Sequence, residues 1–76
     1  MNKYRRKLLQ LILDNLDGLM QELDAVRDDE QEAFDNLPEG LQSGERGEAM
    51  EEAISNMEDA YSQIEDAISS IEAAME

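Results

Sequence analysis

At 76 residues and a net charge of −14, the chain is at most one small domain, and it contains neither cysteine nor histidine. Those two absences remove disulfide staples, Cys/His zinc sites, thiol nucleophiles and imidazole acid–base chemistry, which leaves oligomerisation as the main route to extra stability in so short a chain. One proline, four glycines, two tyrosines and one phenylalanine argue against a β-sandwich or barrel, which needs turn residues and β-branched strands.

The chain begins with a basic end, Asn2-Lys3-Tyr4-Arg5-Arg6-Lys7; after it only Arg27 and Arg46 carry positive charge, against 20 acidic residues. The apolar run Leu8-Leu9-Gln10-Leu11-Ile12-Leu13 leads into Asp14-Asn15-Leu16-Asp17 with no small-residue cleavage site, so it does not read as a signal peptide. No segment approaches the roughly 20 apolar residues of a membrane span, and a cytoplasmic location is the expectation.

A first helix is expected over about residues 2–36. Leu9, Ile12, Leu16, Leu19, Leu23 and Val26, continued by Ala33 and Leu37, alternate in steps of three and four, the seam of a left-handed coiled coil. Leu8, Leu11, Leu13 and Met20 fall outside that seam, so the helix is apolar over too wide an arc for one partner; exposed, they form an adhesive patch. The acid-rich stretch from Asp24 to Asp35 lacks the alternating ligands and central glycine of an EF-hand loop and reads as helix.

The one strong break is Asn36-Leu37-Pro38-Glu39-Gly40-Leu41-Gln42-Ser43-Gly44. Pro38 disfavours helix at Leu37 and lacks an N–H, and Gly40 permits a backbone reversal, which sets a hinge at 37–43. Ser43 is the expected N-cap of a second helix over about 43–75, with Glu45 and Glu48 in its first turns where the dipole favours negative charge. Each helix is then about 50 Å long.

Cut every seven residues, the second helix reads AISNMED-AYSQIED-AISSIEA from Ala53. Its apolar seam is Ile54, Met57, Tyr61, Ile64, Ile68 and Ile71. An antiparallel arrangement sets Leu9 against Ile71, Ile12 against Ile68, Leu16 against Ile64, Leu19 against Tyr61, Leu23 against Met57 and Val26 against Ile54; the match fails at Glu30 against Met50. The fold expected is all-α: a single domain, 1–76, forming an antiparallel two-helix coiled-coil hairpin. Ala53, Ala60, Ala67 and Ala74 line one edge of the second seam, where small residues let another helix approach closely, though alanine is also simply a good helix former. Together with Leu8, Leu11, Leu13 and Met20 they form the expected interface of a dimer, closing a four-helix bundle.

Glu51-Glu52, Glu58-Asp59, Glu65-Asp66 and Glu72 recur every seven residues, about 10 Å apart along the helix. Solvated coiled-coil faces usually mix signs, because like charges four residues apart oppose the helix. No basic residue follows Arg46, so this row is read either as a solvated face or as a recognition face for a basic surface. The charge repels nucleic acid and anionic lipid and attracts basic proteins. No metal site or cofactor is expected, and no enzyme: paired carboxylates need a pocket that excludes water, and Gly40, Gly44 and Gly47 match no nucleotide-binding signature. The basic N-terminal end is expected to lie beside Glu72 and Glu76, the alternative being contact with lipid headgroups or nucleic acid.

The segment from Asn36 to Ala53 (NLPEGLQSGERGEAMEEA) resembles one seen in short acidic hypothetical proteins of Firmicutes and their phages and mobile elements. That family has no settled activity, so the resemblance implies a bacterial or phage setting and an accessory role, and no functional residues. Two functions stay open. One is a non-catalytic acidic protein that docks on a basic, nucleic-acid-binding surface of another protein, in its sharpest form a nucleic-acid-mimicking, anti-CRISPR-like inhibitor. The other is a structural or assembly module that homo-oligomerises through its apolar seams.

Overall fold

The computed structural model describes the whole chain, Met1–Glu76, and contains three helices and no strand: α1 (Lys3–Asp35), α2 (Glu39–Gln42) and α3 (Glu45–Ala74). The molecule measures 58 × 15 × 12 Å, with a radius of gyration of 17.3 Å. A compact domain of this length would have about 11 Å, so this is a rod. Arg6 meets Met75, Arg27 meets Glu58 and Phe34 meets Gln42. Residue numbers therefore fall along α3 as they rise along α1, and the two long helices run side by side in opposite senses.

At the start of α1, Asn2 accepts the Arg5 backbone N–H on its side-chain oxygen at 2.8 Å, satisfying one of the orphan donors there. The charges of α1 oppose its dipole, with no acid in the first turn and no base in the last. The opposite sense of α3 relieves this at one end: Arg6 Nε donates to the Met75 carbonyl at 3.0 Å, placing a cation on the negative terminus of α3. The basic end thus finds a backbone carbonyl rather than the carboxylates of Glu72 and Glu76, and Lys3, Arg5 and Lys7 make no ion pair.

The connection is more structured than a flexible hinge. Pro38 ends the first helix and then nucleates α2, accepting the N–H groups of Leu41 and Gln42 at 2.8 and 3.1 Å. The Gln42 side chain donates back to the Phe34 carbonyl at 3.1 Å, tying the connection to the last turn of α1. Gly40 lies inside α2 and no glycine has a positive φ, so two corners, at 36–38 and 43–44, make the reversal instead of Gly40. Ser43 is not the N-cap either. Its hydroxyl donates to the Gly40 carbonyl at 3.5 Å, and extended Gly44 caps α3 without a side-chain bond. The glycine that matters sterically is Gly47, which is buried: a Cβ there would collide with the Gln42 backbone, so only glycine lets the connection lie against the first turn of α3.

On α3 the inner face is the one its heptads indicate, with Ile54 buried and Met57, Tyr61, Ile64, Ile68 and Ile71 half-buried. On α1 it is rotated. Leu13 and Met20 are 8% and 7% exposed, whereas Ile12, Leu19 and Val26 are 46%, 54% and 56% exposed. Both alternatives share the spine Leu9, Leu16 and Leu23, which is half-buried. The spine is flanked on one side by Ile12, Leu19, Val26 and Ala33, and on the other by Leu13, Met20, Arg27 and Phe34. One partner helix covers the spine and one flank. The second flank, which turns inward, carries half-buried Phe34 and the only mid-helix cation of α1, which reaches an α3 carboxylate. Leu13 and Met20 consequently belong to the core of the helix pair rather than to an outer interface, and Ile12, Leu19 and Val26 take their place outside.

Candidate interaction faces

The helix pair has two unlike sides, and Arg27 locates the boundary. Its guanidinium Nη1 lies 2.9 Å from Asp28 Oδ1 and its Nη2 3.1 Å from Glu58 Oε2, with the side chain 29% exposed. The hydrogen bond it donates to Asp28, with the added field of Glu58, raises its pKa above the ordinary guanidinium value. Arg27 and Glu58 therefore mark one side of the pair.

On that side and around the back of α3 stand the acids. At 100° per residue, Glu51, Glu58, Glu65 and Glu72 form a row along one flank of the α3 seam. Glu52, Asp59 and Asp66 form a second row facing away from α1, with Ser55, Ser62 and Ser69 between the two. All seven acids are exposed, and Glu58 alone among them makes an ion pair. The two rows stand together along most of α3, as the heptads require.

The other side is apolar. The α1 flank opposite Arg27 carries Ile12, Leu19 and Val26, joined at its outer margin by exposed Leu8, while exposed Leu11 faces away from α3. The α3 flank opposite Glu58 carries Ala53 and Ala60, half-buried, and Ala67 and Ala74, exposed. In an antiparallel pair these two flanks lie on the same side. The alanine edge thus lies beside Ile12, Leu19 and Val26, which the heptad reading places inside, with Leu8 at the outer margin of that flank and Leu11 on the face of α1 turned away from α3. The signal was present in the doubled apolar rows of α1; periodicity alone does not say which row turns inward.

Neither side forms an enclosed cavity. An open groove runs over Asp14, Asn15, Gly18, Leu19 and Glu22, where Gly18 leaves a dip: nothing lies within 4 Å of where its Cβ would be. No three acidic side chains converge in a geometry suited to a metal ion. Asp24–Asp35 is continuous helix. No helix is long and apolar enough to cross a membrane. No protein-family model, curated protein or solved structure matches the chain.

Proposed function

We propose that the chain is a non-catalytic interaction protein, an antiparallel coiled-coil hairpin that offers the acidic rows of α3 to a basic surface of another protein. The observation that carries this reading is the state of those rows: seven exposed carboxylates along one helix, with a single cation, Arg27, compensating one of them. Uncompensated like charges oppose a helix, and a Lys/Arg-lined groove on a partner relieves the repulsion while gaining attraction at every heptad. The partner class that fits is a nucleic-acid-binding protein whose phosphate-contacting groove the carboxylates occupy competitively. With the resemblance of residues 36–53 to short acidic phage and mobile-element proteins, the sharpest form is an anti-defence inhibitor acting by mimicry.

The test replaces Glu58, Asp59, Glu65 and Asp66 by the corresponding amides. The wild type is expected to retain a basic nucleic-acid-binding protein at low salt and to release it as salt rises, because exposed charge pairs are screened over about 10 Å at 0.1 M. The neutralised protein is expected to remain helical and retain nothing. Equal retention by both, or retention indifferent to salt, overturns the reading.

A second reading, an assembly module, is favoured by the apolar side: Leu8, Ile12, Leu19 and Val26 stay exposed within the chain. The two readings are compatible in one molecule, since a dimer closed through the apolar side as a four-helix bundle leaves the acidic rows outermost.

A further inference from the structure

The helix pair exposes 5630 Å². A compact monomer of this mass would expose about 4,700 Å². The excess of roughly 900 Å² is close to the ~800 Å² that one partner contributes to a standard-size stable interface. Only Leu13, Met20 and Ile54 are buried apolar side chains, whereas Leu8, Ile12, Leu19 and Val26 are exposed along one flank of α1. The missing burial is thus comparable to what one partner gives to a stable interface, and these exposed apolar side chains are gathered on one side.

That side is also shaped. The Arg6–Met75 contact fixes the relative height of the helices and places Ile12, Leu19 and Val26 level, to within a turn, with Ala67, Ala60 and Ala53. Large side chains on one helix and small ones on the other give a stepped surface. Two such surfaces interdigitate when each large row meets the other copy's small row; setting large on large and small on small would splay the pairs apart. A two-fold axis parallel to the helices achieves the first arrangement and preserves the level match. The flank of α3 beyond its alanines carries neutral Asn56, Gln63 and Ser70, so Glu22 and Asp29, which lie beyond Leu19 and Val26 on α1, meet no opposing row of acids.

We infer that the occupant of the apolar side is a second copy of this chain, with α1 of each protomer antiparallel to α3 of the other. In this arrangement Ile12, Leu19 and Val26 seat on the other copy's Ala67, Ala60 and Ala53. The inference deepens the assembly reading above, since it requires self-association and adds the face and orientation.

The test uses single-cysteine variants of the full chain, which has no native cysteine to interfere. Leu19→Cys and Ala60→Cys are mixed under mild oxidation, with the mass of unlinked wild type measured in parallel. The expected result is a wild-type dimer and a disulfide-linked heterodimer between the two variants, with little linkage of Leu19→Cys to itself. A Leu19→Glu variant is expected to weaken the dimer on the order of a hundredfold, through loss of a buried apolar contact and burial of a charge. Monomer at every concentration overturns self-association itself. A dimer in which Leu19→Cys links only to itself, or in which neither variant links, overturns the proposed orientation while leaving self-association standing.

Discussion

The two long helices are nearly equal in length, 33 and 30 residues, yet they divide surface chemistry differently. α3 has a single apolar seam, and outside it the repeat is strict enough to place acids, serines and alanines in separate rows. α1 has a leucine spine with apolar rows on both flanks, interrupted by Arg27 on one of them. A helix with one seam has its inner face determined by its own periodicity. A helix with two candidate rows has that face decided by its neighbour, and here the row carrying Arg27, which reaches Glu58, is the one turned inward.

The sharpest way to break this comparison is to truncate adjacent residues from the two α1 rows. Met20→Ala removes a buried side chain and is expected to cost about 2 kcal/mol or more, independent of protein concentration. Leu19→Ala, one position earlier, removes a half-exposed one and is expected to lower stability mainly where the chain is self-associated. Denaturant titrations at two protein concentrations a hundredfold apart distinguish them; a concentration-independent loss of equal size in both would refute the assignment of rows.

The glycines sharpen the same contrast between α1 and the connection. Gly47→Ala drives a Cβ into the Gln42 backbone and is expected to destabilise the chain by about 1–3 kcal/mol, the range for forced overpacking. Gly18→Ala meets open space and is expected to stabilise α1 by up to about 1 kcal/mol through helix propensity. Thermal melts of the two variants should therefore move in opposite directions.

Arg27→Gln removes the one ion pair between α1 and α3, and its effect is expected to be smaller than either core change. Because the folded pKa of Arg27 is raised, its contribution is fully present below the unfolded value and is lost only as pH climbs past the folded one. That window lies in strong alkali, so the melting-temperature difference between Arg27→Gln and wild type should stay constant from about pH 6 to about pH 9. A difference that vanishes within that range would mean another group carries the contact. The smallest expected effect is that of salt on the helix pair alone: screening the acidic rows should raise its melting temperature by a few degrees, the reverse of a molecule held together by ion pairs.

Much of this architecture is legible in the sequence because heptads and a proline break are local signals. Two long helices, the interruption at Pro38, the α3 seam and the acidic rows all follow from spacing. The inner row of α1 does not, since Ile12/Leu19/Val26 and Leu13/Met20/Phe34 fit the spine equally well by period. The capping of α3 by Gly44 instead of Ser43, and the steric role of Gly47, depend on how α2 folds back. Such a contact between segments leaves no periodic trace. For the acidic rows, sequence specifies position and exposure, while their partner is a property of another molecule.

The most direct test of the central claim, that one side of the rod is apolar and self-associating while the other is acidic and outward, is sedimentation equilibrium of the wild-type chain across a salt series. Two copies of charge −14 brought together through apolar faces should form a dimer that tightens as salt screens their mutual repulsion. A chain that stays monomeric at every concentration, or a dimer that falls apart as salt rises, would contradict the account.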